Sequence, residues 1–594
     1  MTTKYRIFIG LLTICLVQLL CACTTTTPAR RVLVEISDAD LTAVNRRPSV
    51  VEVEPGKPAV LYMTKAGRVA LKLGNETKLI DATARVMTGA NYPQLYGHSS
   101  ALQALWWSHA DGKNIYMTTS QDKGQSFAPV TMPNADHGVL LPFTLLQGAS
   151  AGVLGLVYSD ERNPGYQVYV NRSTDGGRSW GEVDKRLDTP PDGGRSSTAQ
   201  DPIALKLSNG WFVVWSDTHQ QDGKAVYRLV STVSRDDGIS WSEPKALYVG
   251  DRSISSLAAS VENDVVVVAA DVYGRGLIAA VSQDAGTQWM TVGIAHGTEK
   301  MEISGLRSAQ KNGFANYTWM QKAANEKTRI MHARVDTKTA TWLDGGAKRL
   351  DVKVHDNTKS LSPEIVAAED GRLVAAWTDY REIVPNIYLS VSQDDGKTWK
   401  PAFPIMNLAK EWPAGWPRVF PSGNGIAIAQ AERDAFKFSD ERFVVKYMSF
   451  ESLNAAAVQA SEGPSELIGE SKVERLRHRA DELWRARLES NFDKTYSIFD
   501  HAYRALNTKE KHQGSLGPIK YIKYSVGDVS VKGNEAKVHV DISYEIKSTM
   551  LPQSSKPLEL APTDASAETT WVWVIDDWYM VYSSEVMRDQ PLNY

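Results

Sequence analysis

Short apolar runs, each bounded by turn residues, recur along most of this chain. The clearest occupy residues 210–215, 265–270 and 372–377, and Gly, Asn or Asp stands before each of them. Runs of this length with such boundaries are typical of buried β-strands rather than of helices. The pattern therefore predicts a mainly β protein over the central part of the sequence.

Polar residues mark the ends of these strands at a regular spacing. In the clearest copies an aromatic and a small residue come first, as at residues 215–217 and 377–379. Seven copies follow one another at separations of 50 to 58 residues. Their polar members, the column residues, are His109, Asp160, Asp217, Asp271, Gln321, Asp379 and Glu432. A period of this size predicts one supersecondary unit per copy, stacked on the next.

A second repeat follows the strands. Five segments share the pattern S-x-D-x-G-x-S/T-W, with Phe127 and Gln288 as the two departures; they occupy residues 120–127, 173–180, 234–241, 282–289 and 392–399. An eroded sixth copy without the Gly lies at 336–342. The Asp can accept hydrogen bonds from backbone N–H groups of its own turn, and the Gly allows a positive φ. Each segment therefore predicts a tight turn between two strands.

These segments resemble the Asp-box, or bacterial neuraminidase, repeat. The resemblance implies a sialidase-like β-propeller in which the boxes face away from the ligand. We therefore assign a structural role to the five box carboxylates: Asp122, Asp175, Asp236, Asp284 and Asp394. The seven column copies predict seven blades over residues 91–453, and the six blades of true sialidases are the alternative.

The stretch before the first column copy is expected to close this propeller. Residues 24–90 would hold a short tether and N-terminal strands, with strand candidates at 49–54 and 60–63. One of these would complete the last blade, which has no box behind it. Such a splice closes the ring and removes exposed sheet edges.

Beyond the propeller the pattern changes. Residues 454–470 are rich in Ala, Ser, Glu and Gly, which predicts a linker. The elements predicted after it are helices at 473–488 and 494–506 and strands at 536–546, 569–575 and 578–582. Two helices followed by an antiparallel sheet resemble the nuclear-transport-factor-2-like α+β domains. The resemblance implies a domain at 471–594 that binds a small molecule or mediates assembly.

The first 23 residues have the pattern of an export signal. Lys4 and Arg6 precede an apolar run at 7–20 that is short for a membrane-spanning helix. The chain's three cysteines all lie here: Cys15, Cys21 and Cys23. The end of the run resembles the lipobox of bacterial lipoproteins, which implies lipidation of Cys23 and, because Thr24 follows, sorting to the outer membrane. An ordinary secretory signal is the alternative, and the periplasmic or cell-surface side stays open.

The sequence differs from sialidases at the residues that would bind the substrate. Sialidases hold the substrate carboxylate with three converging arginines, because bidentate guanidinium contacts suit that group. The first of them lies in a Y-R-I-P-like motif at the start of the propeller. The corresponding residues 92–95 contain no Arg, and the similar residues 418–421 lie in the last copy. This departure argues against sialidase activity.

The strand ends marked by the column should gather on one face around the central channel. The candidates for a ligand-binding rim there are His109, Asp160, Arg162, Asp217, Asp271, Asp379, Arg381 and Glu432. The same turns also hold Asp111, His219, Arg275 and Arg433. Arg162 and Arg381 each follow a column Asp by two residues, which makes them the best candidates for binding an anion. The alternative is that each Asp caps its own turn and each Arg pairs with it.

Net charge and motif spacing limit the classes of ligand that the sequence predicts. A net charge of -3 gives no sign of a nucleic-acid ligand. Neither zinc-ligand spacing nor a nucleotide fingerprint occurs, so we expect no metal and no cofactor. The leading hypothesis is an exported, lipid-anchored propeller that binds a glycan, a small anionic ligand or an envelope protein without sialidase activity. The alternatives are a glycoside hydrolase acting on extracellular or periplasmic glycans and an assembly subunit of an envelope complex.

Overall fold

The computed structural model describes residues 30–37, 48–81, 90–98, 101–109, 112–163, 165–188, 198–324, 326–352, 358–406, 412–434, 441–461, 472–500, 503–504, 507–515, 518–550, 557–574 and 577–581. The fold is mainly β, with 59% of residues in strands and 9% in helices. The expected signal at 1–23, with Cys23 and the tether after it, lies outside the described residues. Among the helices in the described ranges, none combines the length and the apolar character needed to cross a membrane.

Eight antiparallel sheets, numbered blades 1 to 8, precede the C-terminal part of the described chain. Blades 1 to 3 are β2 (Ser49–Glu54), β3 (Lys57–Met63), β4 (Val69–Leu73) and β5 (Glu76–Leu79); β6 (Ala90–His98), β7 (Ala101–Ser108) and β8 (Asn114–Ser120); and β9 (Val139–Gln147), β10 (Leu154–Asp160), β11 (Gln167–Ser173) and β12 (Lys185–Arg186). Blades 4 and 5 are β13 (Thr198–Leu207), β14 (Gly210–Gln221), β15 (Lys224–Ser234) and β16 (Lys245–Gly250); and β17 (Ile254–Glu262), β18 (Val265–Val272), β19 (Gly276–Ser282) and β20 (Met290–Val292).

The remaining three blades continue the same order. They are β21 (Glu302–Lys311), β22 (Phe314–Lys322), β23 (Arg329–Asp336), β24 (Thr341–Trp342) and β25 (Lys348–Arg349); β26 (Ser360–Ala367), β27 (Leu373–Glu382), β28 (Val384–Ser392) and β29 (Phe403–Pro404); and β30 (Ala414–Ser422), β31 (Gly425–Arg433), β32 (Glu441–Ser449) and the N-terminal β1 (Arg31–Ser37). Blade 8 is thus built from both ends of this region.

Consecutive blades pack face to face through separate apolar clusters, and the succession closes on itself. Seven interfaces join neighbours in the sequence, from blade 1 against blade 2 to blade 7 against blade 8. The eighth packs Val34 and Ile36 of β1 and Ala427 of β31 against Val60 and Tyr62 of blade 1. The described sheets therefore form a closed ring.

The expectation of seven blades, or six as its alternative, is too low for the described sheets. The seven column residues belong to blades 2 to 8, and blade 1 carries neither a column residue nor a box. The strands expected at 49–54 and 60–63 do not complete the last blade, because they pair with each other in blade 1. β1 instead pairs with β32 and supplies the missing outer strand.

The first strands lie nearest the ring axis, because first strands of successive blades contact one another at six of the eight interfaces. Strand direction alternates within a blade, so turns between the first two strands share a face with the box turns. We call this the box face. The second strands end on the opposite face, which we call the column face. The fold thus places the boxes and the column on opposite faces of the ring.

The box turns have the expected local geometry. In blade 3 the Asp175 carboxylate accepts the backbone N–H of Ser179 at 2.9 Å and its hydroxyl at 2.6 Å. Burial raises the pKa of Asp175, but these and other hydrogen bonds outweigh it and hold the pKa at about 2. Gly176 and Gly177 both have positive φ there. The same turn recurs in the other four boxes.

The C-terminal part packs helices on one face of a four-stranded antiparallel sheet. Its elements, with the preceding helix, are α1 (Phe450–Ser461), α2 (Lys472–Leu488), α3 (Phe492–Ile498), α4 (Lys509–Ser515), β33 (Ile519–Lys532), β34 (Glu535–Met550), β35 (Pro557–Val574) and β36 (Asp577–Val581). The linker expected at 454–470 begins instead as α1, whose Leu453, Ala456 and Ala457 pack on blades 7 and 8. The second helix expected at 494–506 is matched in part by α3, and Tyr503 and Arg504 are again helical, while residues 501–502 and 505–506 lie outside the described residues. β33 and α4 were not expected.

This C-terminal sheet contacts the column face at blade 7. Val384, at the start of β28, packs against Val572 and Val574 of β35. The side-chain amide of Asn534 donates to the backbone carbonyl of Arg381 at 2.5 Å. The turn that holds Arg381 is therefore partly covered by the C-terminal sheet.

Glycines in the box turns allow close approach of neighbouring side chains. Substitution of Gly238 tests how much this close packing contributes to stability. Gly238 has φ +85°, and an added Cβ would lie 2.2 Å from Cζ3 of Trp211. We expect Gly238→Ala to lower the free energy of unfolding by about 3 kcal/mol, from backbone strain and overpacking together. Gly223, at φ +73° with no atom within 4 Å of its added Cβ, is the control. Gly223→Ala should cost about 1 kcal/mol. Urea titration followed by Trp fluorescence compares the two, and equal losses would refute the role of Trp211.

Candidate binding site on the column face

The column residues lie on the column face, where the second strand of each blade ends. His109 is exposed, and the other six are buried. A buried polar group needs a partner, so the partners decide which of these side chains are available to a ligand. Asp111, named with this rim, lies outside the described residues.

In blade 3 the column carboxylate and its arginine satisfy each other. Asp160 accepts from the backbone N–H of Arg162 at 2.8 Å and from its Nε at 2.7 Å. Nη2 of Arg162 also lies 2.7 Å from the buried Asp184, and the guanidinium stacks 4.0 Å above the ring centre of Tyr169. Carboxylates and a ring thus surround the guanidinium, which favours a structural role for Arg162.

Blade 7 repeats this arrangement. Asp379 accepts from the backbone N–H and Nη2 of Arg381 at 2.8 and 2.7 Å, and from Nε1 of Trp377 at 3.0 Å. The guanidinium lies 3.9 Å above the ring centre of Tyr388. Both arginines that the sequence favoured as anion-binding residues are therefore committed within their own blades.

Blades 6 and 8 satisfy their column residues in other ways. Glu432 accepts from Nε of Arg442 at 2.7 Å and lies 2.8 Å from Nζ of the buried Lys446. Gln321 accepts from Nε1 of Trp319 and donates to a backbone carbonyl, both at 3.1 Å. These two column residues also serve their own blades.

Arginines along the channel converge on a carboxylate of the protein. Arg307 of blade 6 and Arg418 of blade 8 lie 3.4 and 3.5 Å from Oε1 of Glu364, which stands between them in blade 7. Two further arginines of the rim also have carboxylate partners: Arg275 pairs with the exposed Asp251, and Arg433 pairs with Glu441. Among the described residues, two guanidinium groups thus share the carboxylate of Glu364.

Blades 4 and 5 are the exception among the blades. Asp217, 5% exposed, pairs with Arg228 through one oxygen, and its Oδ1 has no partner in the described part of the chain. Asp271, 1% exposed, accepts from the Ser255 hydroxyl, and its Oδ1 is likewise without a described partner. Burial raises the pKa of Asp217 and of Asp271, with Arg228 and Ser255 respectively opposing it.

A third carboxylate of this region comes from a first strand. In blade 4 residues 201–202 form a β-bulge opposite Trp215 alone, and Asp201 there has φ +54°. A bulge leaves its extra residue outside the hydrogen-bonded ladder. The Asp201 side chain is exposed to solvent, yet the surrounding protein raises the pKa of its carboxyl by desolvation. No ion pair or hydrogen bond from the described residues reaches that carboxylate.

Five residues at the column-face end of these two neighbouring blades define what we call the blade 4–5 corner: Asp201, Asp217, Ser255, Asp271 and Tyr273. β13 and β14, which carry the first two, both contact β17, which carries Ser255. Tyr273 is 56% exposed two residues beyond Asp271, and its backbone N–H bonds to the carbonyl of Ser253 at 2.8 Å. The corner therefore combines carboxylates, a hydroxyl and an exposed aromatic ring.

Sequence reasoning missed Asp201, although a signal for it exists. First-strand bulges occur in blades 2 to 8 near the column face. In five of these blades the bulge coincides with an X-Pro pair: residues 92–93, 141–142, 201–202, 362–363 and 416–417. This third repeat identifies side chains around the channel, and Asp201 is its acidic member.

Comparison with known proteins shows that the chain matches a protein family. The profile described as "BNR repeat-like domain" matches residues 103–313 and 158–426, which together cover more than half of the chain. No curated protein matches the sequence.

Solved structures with a similar fold include enzymes of glycan breakdown. A mutant of NanB sialidase from Streptococcus pneumoniae is 8% identical over 72% of this chain and 100% of its own, with a TM-score of 0.32. An α-L-arabinanase from Penicillium chrysogenum, complexed with arabinobiose, is 18% identical over 53% and 100%, with a TM-score of 0.32. A protein of unknown function from Dyadobacter fermentans is 12% identical over 52% and 95%, with a TM-score of 0.31.

The structural role of Arg162 can be separated from ligand binding. Arg162→Ala leaves the buried Asp160 and Asp184 without their cation, so we expect a loss of about 3 to 5 kcal/mol in the free energy of unfolding. Arg275, whose side chain is half exposed beside Asp251, is the control, and Arg275→Ala should change the value by less than about 0.5 kcal/mol. Chemical denaturation measures both. If Arg162→Ala were as stable as the wild type, Arg162 would not be needed for stability, and a role in anion binding would be favoured instead.

Proposed function

Since this chain belongs to the BNR repeat-like domain family, we propose that it is a β-propeller that binds a glycan on its column face without sialidase activity. The ligand lies at the channel mouth, beside the blade 4–5 corner. Aromatic surface and hydrogen-bond acceptors are the groups that hold a polyhydroxylated ligand, and Tyr273, Ser255 and Asp201 supply them.

The pairing of the arginines is the observation that carries this proposal. An acidic sugar needs guanidinium groups free to form bidentate contacts with its carboxylate. Arg162 and Arg381 are held by Asp160 and Asp379, and Arg307 and Arg418 share Glu364. At the corner the balance is opposite, because Asp201 and Asp271 have no described cation. This distribution supports a ligand rich in hydrogen-bond donors over an anionic sugar.

A glycan array tests the proposal. We expect uncharged or cationic glycans to bind and sialylated ones not to, with no sialic acid released from a sialoside. Asp201→Gly removes the carboxylate at a position whose positive φ suits glycine, and should weaken binding about tenfold, the value of one charge-assisted hydrogen bond. Asp395→Gly is the control, because it changes a positive-φ Asp in the blade 7 box, where blade 3 has Gly176. Selective binding of sialylated glycans, or their cleavage, would overturn the proposal.

We further propose that the protein is exported and held at the outer membrane by a lipid on Cys23. The support is the order of basic start, apolar run, small residue and cysteine in the first 23 residues. A propeller so anchored would meet its glycan at the cell envelope.

Metabolic labelling with a radioactive fatty acid tests the anchor. We expect the wild-type chain to be labelled and to sediment with membranes, and Cys23→Ser to be unlabelled. Cys21→Ser is the matched control, two residues away in the same segment, and should label normally. Label that survives Cys23→Ser would contradict the assignment.

A further inference from the structure

We propose that the blade 4–5 corner binds the free amino group of an amino sugar. This rests on the proposed function and names the chemical class of its ligand. The corner, unlike the rest of the column face, joins negative charge to hydrogen-bond acceptors that no group of the described chain occupies.

The charges of the corner do not balance. Asp217 has Arg228 as its cation, and His219 and Arg186 also face it. Asp271 faces only the Ser255 hydroxyl, and Asp201 faces no charged group in the described ranges. In blades 3, 7 and 8 the corresponding carboxylate has an arginine. Two carboxylates of the corner are thus left for a cation from outside.

The acceptors of the corner are turned toward solvent. Ser255 is exposed and gives its proton to Asp271, so the lone pairs of its oxygen are free to accept from a ligand. Asp201 is exposed at its bulge in β13, the first strand of the neighbouring blade, which contacts β17. An ammonium group carries three donors and no acceptor, so it suits a hydroxyl and a carboxylate at the surface with Asp271 behind them.

Some of the unpartnered polar atoms of the described chain lie in blades 4 and 5. Besides Oδ1 of Asp217 and of Asp271, Nε of Arg228 and Nδ1 of His219 have no partner among the described residues. A buried polar atom without a protein partner retains hydrogen-bonding capacity. Oδ1 of Asp271 therefore has capacity to accept from a bound group beside Ser255.

Protonation of these aspartates should make the affinity for an ammonium group depend on pH. Burial raises the pKa values of Asp201, Asp217 and Asp271 above the usual aspartate range. A bound ammonium favours their charged form and therefore lowers these pKa values, so binding in mildly acidic solution releases protons. Affinity should accordingly fall, as the pH is lowered, at a higher pH than ordinary aspartates would give.

Three tetrasaccharides with the same β-1,4 linkage test the inference by calorimetry: those of glucosamine, N-acetylglucosamine and glucose. We expect the glucosamine tetramer to bind the full chain at least tenfold more tightly than the other two, with proton release on binding at mildly acidic pH. Asp271→Asn keeps the acceptor for Ser255 and removes the charge, so it should abolish most of that preference. Glu369→Gln removes one exposed charge on the box face and is the control for non-specific attraction of a polycation.

The outcomes separate this inference from the proposed function. Equal affinity for the three probes, or a preference that survives Asp271→Asn, overturns the amino-group assignment and leaves glycan binding standing if Asp201→Gly still weakens it. A preference lost equally in Glu369→Gln also overturns it. No binding of any probe by the wild-type chain overturns the assignment and counts against the proposed function.

Discussion

The packing of blade 8 against blade 1 is the contact on which the ring depends. Every other interface joins blades that follow one another in the sequence, whereas this one joins residues about 370 positions apart, such as Glu52 and Ser422. β1 completes blade 8 and places Val34 and Ile36 in the shared core. Without it blade 8 would have an unpaired outer edge, which is prone to aggregation. Closure also brings the first strands around one axis and all second-strand ends to one face.

The sequence repeats predicted seven of the eight blades and the face on which each repeat lies. Blade 1 was not predicted because it contains neither a box nor a column residue. Asp81, after its last strand, instead pairs with Arg68 and accepts from the backbone N–H of Val69. α1 was not predicted because the Ala, Ser, Glu and Gly content of residues 454–470 was interpreted as a linker, although Ala favours a helix. Packing of Leu453, Ala456 and Ala457 on blades 7 and 8 adds to that propensity. β33 was not predicted because two bulges interrupt the alternation of apolar and polar residues along it.

The column predicted where a site would lie, but not which of its members are available. Asp160, Asp271 and Asp379 end similar strands, and only their partners distinguish them. In blades 3 and 7 an arginine two residues later bends back to the carboxylate, whereas Arg275 of blade 5 comes four residues later and pairs with Asp251. That difference in spacing was readable from the sequence. Partners on the neighbouring strand, such as Arg228, were not, because they depend on register.

The repeat places a carboxylate at the column position in blades 3, 4, 5, 7 and 8, and in four of these five blades an arginine neutralises it. Burying a carboxylate without a cation costs free energy, which packing elsewhere in a domain of this size offsets. The blade 4–5 corner retains that cost at Asp271. A ligand that supplies a cation recovers part of it on binding, so the uncompensated charge becomes binding free energy for one class of ligand. The box turns identify the fold because they are alike, and the corner is the candidate site because it departs from the repeat.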